Sequence, residues 1–244
     1  MAVTFFDVGQ GDAALLRTAE GAAVLFDTGP NARIVQLLRR EGVSRIDLLV
    51  VSHPHSDHTG GLAAVLKSFP VAQTWHAGGF RGGAGRALGL AHAVRQVDSR
   101  TVLRIGGLSL AVLHPPAGAA PAGNDGSLVV KAVYGGSRYL FPGDCEGGCW
   151  ERIFRSGADL RADVLKAAHH GSWDGASSGV LGRVRPRVVV ISCGRENRYG
   201  HPHPVVLKLL GKIGAAVFRT DRQGAIRCAG VECRAGPLPL ESSE

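Results

Sequence analysis

The stretch Ser52-His53-Pro54-His55-Ser56-Asp57-His58-Thr59-Gly60-Gly61 decides the fold predicted for this chain. It follows the apolar run 46–51, which is typical of a buried strand, and precedes the apolar segment 62–69, which is typical of a helix. The three histidines and the aspartate therefore lie in a turn at the carboxyl end of a strand. Imidazole and carboxylate groups are ligands of divalent metals. The pattern favours a metal site over a histidine-rich surface loop.

The length and composition indicate a protein with a sizeable core: 244 residues, 45% of them hydrophobic. No apolar run approaches the length of a transmembrane helix, and no signal peptide is visible because Met1 leads almost directly into the first strand. Such a start fits a cytosolic protein or a domain cut from a longer chain. The net charge of +8 favours a polyanionic partner such as nucleic acid or anionic lipid, although an arginine-rich composition alone would give the same charge.

The order of apolar and polar segments predicts one domain over residues 1–244. Strands and an early helix come first, then a strand, the histidine-rich turn and a helix, and then a similar order again. We expect an α/β fold of four layers, an αββα sandwich in which two mixed β-sheets pack face to face with helices on both outer faces. Within it, the Gly- and Arg-rich segment 78–89 is predicted to be a loop and 88–94 a short helix. The chain is predicted to end in two short strands, 215–219 and 225–228.

The five cysteines contain no C-x-x-C pair, so the sequence predicts no structural zinc site. Cys145 lies near Cys149, and Cys228 lies near Cys233. The second pair could bridge across a hairpin if the compartment is oxidising. Cys193 falls in an apolar strand and is expected in the core.

Two further groups of polar residues follow apolar strands, namely Gly143-Asp144 and His169-His170. Ligands that emerge from neighbouring strand ends can converge on one point. Together with the turn at 53–58, they supply the imidazoles and the bridging carboxylate that a two-metal hydrolytic site needs.

At these residues the chain resembles the metallo-β-lactamase superfamily, whose signature H-x-H-x-D-H matches residues 53–58. Asp27-Thr28-Gly29, Gly143-Asp144 and the later histidines match its other landmarks in order. A narrower resemblance, to the carboxyl-terminal domain of the ComEC family of bacterial DNA-uptake channels, rests on four stretches. These are Phe6-Asp7-Val8-Gly9-Gln10-Gly11-Asp12-Ala13, Asn124-Asp125-Gly126-Ser127-Leu128-Val129, Lys166-Ala167-Ala168-His169-His170-Gly171-Ser172 and Tyr199-Gly200-His201-Pro202-His203.

The resemblance implies two divalent ions, Zn(II) or Mn(II), and no small organic cofactor. Its metal ligands, carried over by position, are His53, His55, Asp57, His58, Asp144 and His169. The first two would hold one ion, the next two would hold the other, and Asp144 would bridge both. Either His169 or His170 would complete the second site. His169 is preferred, and the remaining histidine would then orient a ligand from behind.

One stretch departs from the wider superfamily, which often has a histidine where this chain has Asn124-Asp125-Gly126-Ser127. An oxygen ligand there would weaken the first site for zinc and leave room for Mn²⁺. Asp125 is therefore a candidate ligand, although the stretch could equally be a loop turn. Asp7 and Asp12 could orient ligand imidazoles or could serve only the turn between them.

The resemblance also implies residues that act on substrate. Asp57 would orient the hydroxide nucleophile, and His203 would donate to a phosphate oxygen or protonate the leaving group, unless its segment is a surface turn. Candidate substrate-binding residues surround the same cleft: Asn124, Ser127, Ser172, His201 and Arg198.

The function that the resemblance implies is a metal-dependent phosphodiesterase, a DNA exonuclease that degrades one strand during DNA uptake in natural transformation. A hydroxide that bridges the metals would attack phosphorus. Single-stranded DNA would bind through its phosphates, with arginines such as Arg81, Arg86, Arg195 and Arg198 in contact. The protein would lie on the extracytoplasmic side of the membrane, joined to a channel portion, or otherwise in the cytoplasm. A small-molecule hydrolase acting on a lactam, thioester or cyclic nucleotide, and a non-catalytic DNA-binding module, stay open as alternatives.

Overall fold

Two β-sheets lie face to face in the computed structural model, which describes residues 1–119 and 122–236. The strands of the first sheet are β1 (Ala2–Phe5), β2 (Ala14–Arg17), β3 (Ala23–Phe26), β4 (Leu48–Val51), β5 (Thr74–His76), β6 (Val94–Gln96), β14 (Ile226–Ala229) and β15 (Glu232–Ala235). Their spatial order is β15-β14-β1-β2-β3-β4-β5-β6. Pairing is antiparallel from β15 to β3 and parallel from β3 to β6.

The second sheet is also mixed. Its strands are β7 (Val102–Ile105), β8 (Leu108–His114), β9 (Val129–Tyr134), β10 (Ser137–Phe141), β11 (Val164–Lys166), β12 (Val188–Ile191) and β13 (Ala216–Arg219). Their spatial order is β13-β12-β11-β10-β9-β8-β7, with parallel pairing from β13 to β10 and antiparallel pairing beyond it.

Helices cover the outer face of each sheet. The helices are α1 (Arg33–Arg40), α2 (Ser56–Thr59), α3 (Leu62–Ser68), α4 (Gly82–Leu88), α5 (Gly147–Ser156), α6 (Ser178–Val184), α7 (Pro204–Lys212) and α8 (Thr220–Gln223). Apolar residues of α1, α3 and α4 pack on the first sheet, and those of α5, α6 and α7 pack on the second. None of the helices in the described ranges is long and apolar enough to cross a membrane.

Strand β4 explains why the layers stack in this order. All four of its residues are buried. Because side chains alternate between the two faces of a strand, both faces of β4 must be covered. Leu48 and Val50 pack against the second sheet, whereas Leu49 and Val51 pack against the helices outside the first. A strand that is apolar on both faces must be covered on both. The predicted four-layer αββα sandwich is confirmed.

Three local predictions differ from the structure. Residues 82–88 form helix α4 instead of a loop, because Leu88 is buried against the outer face of the first sheet and this packing outweighs the poor helix propensity of glycine. Residues 94–96 form strand β6, paired with β5, instead of ending a helix. Strand β15 was not among the predicted strands, and it forms with β14 the hairpin that was considered for Cys228 and Cys233.

The cysteines form two disulfides in this fold. Cys228 and Cys233 lie opposite each other on β14 and β15 and are bridged, as the sequence allowed. Cys145 and Cys149 are also bridged, across the start of α5. Cys193 is a free, buried thiol.

The two sheets meet at one edge, where the strand ends that carry the polar motifs lie side by side. Ser52, just after β4, accepts a backbone hydrogen bond from the Leu128 amide at 2.9 Å. A Cβ atom at Gly143, just after β10, would lie 2.8 Å from the Cβ atom of Ser52. The absence of a side chain at Gly143 therefore lets the strand ends of both sheets approach closely and brings their polar residues together.

Candidate metal centre

The carboxylate of Asp144 lies among four imidazoles. Its Oδ1 atom is 3.2 Å from Nε2 of His58. Its Oδ2 atom is 3.6 Å from Nε2 of His170, 3.7 Å from Nε2 of His53 and 3.8 Å from Nε2 of His169. Asp144 is buried, so these histidines supply its nearest polar surroundings. The position predicted to bridge two ions thus lies at the centre of the predicted ligands.

Asp57 adds a second carboxylate to one side of this centre. Its Oδ2 atom is 3.2 Å from Nε2 of His170 and 3.9 Å from Nε2 of His58. Asp57, His58, Asp144 and His170 each offer one ligand atom, and these atoms all lie within 4.8 Å of one another. Two imidazoles and two carboxylates at this separation can converge on a single divalent ion.

Three buried atoms without hydrogen-bond partners indicate whether a metal ion fits this centre. His53 Nε2, His58 Nε2 and Asp144 Oδ1 are buried and make no hydrogen bond to any described part of the chain. Buried polar atoms without partners are costly, and a native fold keeps them only where something else satisfies them. His58 Nε2 lies 3.2 Å from Asp144 Oδ1, and His53 Nε2 lies 3.7 Å from Asp144 Oδ2, so the unpaired atoms are close together and the donor set fits divalent ions.

His53 and His55 lie on the other side of the centre. The ring of His53 is 4.2 Å from the ring of His58, and the ring of His55 is 4.6 Å from that of His53. His53 is buried, whereas His55 is exposed at the start of α2. The pair predicted to hold one ion therefore lies side by side and opens toward solvent.

The structure brings His170, and not the preferred His169, into the four-residue group. His169 instead lies with its Nδ1 atom 2.6 Å from Glu146 Oε1, and its Nε2 atom is 3.5 Å from the side-chain nitrogen Nδ2 of Asn124. Asn124 also donates to Glu146 at 2.8 Å. The two neighbours separate because both have left-handed backbone, with φ of 46° at His169 and 55° at His170.

Asp27 and Ser52 support His58 from behind. Asp27 Oδ2 lies 2.8 Å from Nδ1 of His58. Asp27 also accepts hydrogen bonds from the amide of Ser52 at 2.7 Å and from its hydroxyl at 2.8 Å. A carboxylate that holds one ring nitrogen fixes the orientation of the other, which here faces Asp144.

Ser192 and Asp12 support His170 through its Nδ1 atom. Asp12 Oδ1 lies 3.4 Å from Nδ1 of His170, which is also 2.9 Å from the carbonyl oxygen of Ser192. Lys166 forms a buried ion pair with Asp12. Asp12 is thus positioned to orient a ligand, whereas Asp7 accepts a hydrogen bond from the Gly9 amide and serves the turn.

The Gly9–Asp12 loop also fixes the backbone of Asp57. The Asp12 amide donates to the Asp57 carbonyl oxygen at 3.2 Å. A Cβ atom at Gly11 would lie 2.2 Å from that oxygen, and Gly11 has a φ of 145°. Only glycine fits this close approach. The motif at residues 6–13 therefore contributes to the centre by holding the turn that carries Asp57.

Charge and burial together shift the pKa values of the central groups. Burial alone would lower the pKa of His58, but the carboxylates of Asp144 and Asp27 raise it well above its usual value. Burial would likewise lower the pKa of His170, but the carboxylates of Asp144, Asp12 and Asp57 raise it to about 9. The pKa of Asp144 is held well below its usual value despite burial, because His58 and His170 are close. The buried carboxylates thus favour protonated His58 and His170, and a divalent ion bound to these imidazoles would take the place of their protons.

Four predicted residues take roles outside the centre. Asp125, a candidate ligand, accepts a hydrogen bond from the Cys149 amide at 2.9 Å and faces Arg152, so it caps α5. Ser127, a candidate substrate contact, is fully buried and accepts from the Asp144 amide at 3.1 Å. Ser172 is buried and accepts from the Gly175 amide at 3.1 Å. His203, the candidate proton donor, is exposed and its Nδ1 caps α7 by accepting from the Val205 amide.

His201 is the histidine of its segment that faces the centre. Its ring lies 5.3 Å from the ring of His169 and 6.2 Å from that of His170. Burial, followed by the charges of those two histidines, lowers the pKa of His201 to about 4. Arg198 is exposed on the same loop, where its guanidinium donates to the Tyr199 hydroxyl at 3.0 Å.

Sequence reasoning gave no role to Asp27, Ser52, Glu146 or Lys166, although each contacts a residue of the centre or its support. A signal existed for Lys166, because a lysine in a buried strand needs a paired anion. No comparable signal marked Glu146, whose contact with His169 depends on the fold.

Comparison with known proteins shows a match to the metallo-beta-lactamase superfamily over residues 6–195. The chain is 30% identical over 253 residues to ComE operon protein 3 of Bacillus subtilis (strain 168), covering 92% of this chain and 32% of that protein. It is 35% identical over 231 residues to Competence protein ComA of Neisseria gonorrhoeae, covering 93% of this chain and 32% of that protein. The chain thus spans about a third of the length of these relatives. Its fold is similar to that of Zn²⁺-bound PqqB from Methylobacterium extorquens, with a TM-score of 0.64 at 11% identity over 94% of this chain and 100% of that one.

Proposed function

This chain belongs to the metallo-β-lactamase superfamily, and on that premise we propose that it is a metal-dependent phosphodiesterase that cleaves DNA. The observation that carries the proposal is the placement of Asp144, whose carboxylate lies within 3.8 Å of four imidazole nitrogens. A carboxylate shared between two sets of ligands is the arrangement that two-metal hydrolysis of phosphodiesters requires. The centre needs no serine or cysteine nucleophile.

Two divalent ions, Zn(II) or Mn(II), would be held there. His53, His55 and Asp144 would hold the first ion, and Asp57, His58, Asp144 and His170 would hold the second. When bound, such ions lower the pKa of a water molecule and neutralise charge on a phosphoryl oxygen. The imidazole and carboxylate donors suit both metals, so the set is compatible with either.

The protein residues position the reacting groups. Asp57 is partly exposed at the mouth of the centre, with 30% of its side chain accessible, and its carboxylate would orient the attacking water. His201 lies at the same mouth and is neutral near pH 7, so its imidazole can donate a hydrogen bond to a phosphoryl oxygen. His201 therefore takes the role first given to His203.

Three features support DNA as the substrate. The net charge is +8 before any ion is bound, which favours a polyanion. Arg195 and Arg198 are exposed on the loop that carries His201. Two relatives that are similar over most of this chain are a ComE operon protein and a competence protein by name. We propose that the enzyme acts as an exonuclease that degrades one strand during DNA uptake.

Two further features support a location outside the cytoplasm. The two disulfides fit an oxidising compartment, since such bonds are rare in the cytosol. The relatives extend well beyond the matched region. We propose that the chain works on the extracytoplasmic side of a bacterial membrane, joined to a channel portion that takes up the other strand.

A cleavage assay tests the proposal. End-labelled single-stranded DNA is incubated with the protein and either Mn²⁺ or Zn²⁺, beside nitrocefin, a thioester and a cyclic nucleotide. We expect metal-dependent cleavage of DNA that is lost in Asp144→Asn, the control for contaminating nucleases. Hydrolysis of a small substrate without DNA cleavage would indicate a small-molecule hydrolase. DNA binding without hydrolysis under either metal would indicate a binding module.

A further inference from the structure

Two short loops beside the centre each expose a large aromatic ring. Trp173 follows the His169-His170 pair, and Tyr199 precedes His201. The loops are joined because the His203 amide donates to the Gly171 carbonyl oxygen at 2.9 Å. A Cβ atom at Gly171 would lie 2.8 Å from the Cβ atom of Pro202, so the loops also pack closely. The two rings therefore lie on two joined loops beside the centre.

The exposure of these rings is unusual for this chain. Aromatic residues make up only 6% of the sequence. Trp173 is 57% exposed and Tyr199 is 55% exposed, whereas Trp75 and Trp150 are 0% and 2% exposed. Large aromatic rings that are exposed beside a polar cleft indicate a binding surface more often than a requirement of packing.

Each ring lies near a histidine of the second loop. The ring of Tyr199 lies 5.8 Å from that of His201 at an interplanar angle of 24°, and His201 in turn lies 5.3 Å from His169. The ring of Trp173 lies 6.3 Å from that of His203. Flat side chains thus extend from the centre to solvent through His201 and Tyr199, and Trp173 lies beside His203, two residues after His201.

We propose that Trp173 and Tyr199 form a stacking platform for the unpaired bases of single-stranded DNA that flank the scissile phosphate. This inference rests on the proposed phosphodiesterase function and names its substrate class. Exposed rings can stack on any unpaired base, because every base has a π-face. In a duplex those faces are covered by neighbouring base pairs. The platform therefore selects single strands and tolerates any sequence.

Charge at the loops does not explain this surface by itself. Arg195 and Arg198 are exposed there, but so are Asp174 and Glu196, and the fixed charges of the two loops cancel. Arg198 also lies over the ring of Tyr199, 5.1 Å from its centroid, which leaves a cation beside a base stacked there. Phosphate neutralisation at the metal centre and stacking on the two rings would both contribute to the affinity for DNA.

The fluorescence of Trp173 provides a direct test, because it is the exposed one of the three tryptophans. The protein is titrated in EDTA, which prevents cleavage, with an oligothymidylate of roughly 12 nucleotides, within the ~4–16-nucleotide range of single-strand sites. An abasic phosphodiester of the same length and a duplex are titrated in parallel. We expect quenching by the oligothymidylate and little by the other two. Equal quenching by the abasic strand or by the duplex would overturn the platform.

Variants separate stacking from general binding. Trp173→Ala and Tyr199→Ala should each weaken binding of the oligothymidylate by roughly five-fold or more, and Trp173→Phe should keep most of the affinity because it keeps a flat ring. Val102→Ala, which removes an exposed apolar side chain on β7, is the matched control and should bind like the parent. Unchanged affinity in both alanine variants would contradict the inference. Because binding is measured without metal, this failure differs from failure of the proposed function, which would appear as no cleavage of DNA by the parent with either ion.

Discussion

Asp27 Oδ2 lies 2.8 Å from Nδ1 of His58, a residue 31 positions later in the chain. The contact leaves Nε2 of His58 facing Asp144 at 3.2 Å. Asp27 is fully held in place, since the Ser52 amide and hydroxyl both donate to it. The orientation of His58 Nε2, the nitrogen that would bind metal, is therefore fixed by a buried carboxylate directly after β3.

We expect Asp27→Asn to weaken metal binding at the centre by about 10–100-fold, the usual effect of changing a carboxylate behind a ligand histidine. Asparagine suits the test because Asp27 has a φ of 56°, a conformation that asparagine tolerates and alanine does not. Competition with a metal-sensitive chelating dye would measure the affinity. Asp98→Asn, which removes a partly exposed carboxylate paired with Arg100, is the control. Equal affinity in Asp27→Asn and the parent would remove Asp27 from the support of the centre.

The pair His169-His170 shows what the sequence could and could not predict. The turn at 53–58, the strand ends and the four-layer fold follow from residue type and apolar periodicity. Which of two adjacent histidines faces the centre depends on left-handed backbone at both, which no periodicity reports. Asp27 and Lys166 were named within motifs but given no role for a related reason, since each contributes through a partner distant in sequence.

The structure also gives opposite expectations for the two histidines. The protein supplied with excess metal should hold two ions per chain. His170→Gly should lose about one of them, because His170 is one of the four residues whose ligand atoms lie within 4.8 Å. His169→Gly should keep more metal, since Glu146 and Asn124 are among its neighbours. Glycine removes the ring and accepts the left-handed backbone of both positions. Metal analysis after removal of free ions would decide. Loss of an ion in His169→Gly alone would restore the original preference for His169.

Asp57→Asn should lower the rate of DNA cleavage by about 10²- to 10⁴-fold while leaving the fold intact. Asp57 contacts His170 at 3.2 Å, but its side chain is partly exposed and contributes little to the core. The effect should fall on kcat at saturating metal more than on substrate affinity. Circular dichroism and metal content would check that the variant is folded and loaded. A cleavage rate close to that of the parent would refute the role of Asp57.

Cys193 should be unreactive in the folded protein. Burial, with Asp221 nearby, raises the pKa of its thiol to about 12. A raised pKa favours the protonated form, so at pH 8 only on the order of one thiol in ten thousand is the reactive thiolate. Ellman's reagent should therefore detect almost no thiol in the native, unreduced protein and one per chain after unfolding in guanidinium. Rapid reaction in the native state, or three to five thiols after unfolding without reductant, would contradict the buried thiol or the two disulfides.

DNA binding should weaken steeply as salt rises, because phosphate neutralisation releases counterions. For single strands the logarithm of affinity falls by about 0.7 per contacted phosphate for each unit of log salt. Arg195 and Arg198 are exposed on the loop that carries His201, so the double variant Arg195→Ala/Arg198→Ala should reduce this slope by about 1.4. Arg155→Ala/Arg183→Ala removes two exposed arginines from α5 and α6, on the outer face of the second sheet, and should leave the slope unchanged.

Binding is measured with a set of single-stranded oligomers of unrelated sequence. All proteins in this series carry Asp144→Asn so that no oligomer is cleaved. Affinities should also vary little among sequences, because neither phosphate contacts nor stacking on Trp173 and Tyr199 read the bases. A flat salt response in the parent would instead favour a small-molecule substrate, with the basic charge a consequence of composition.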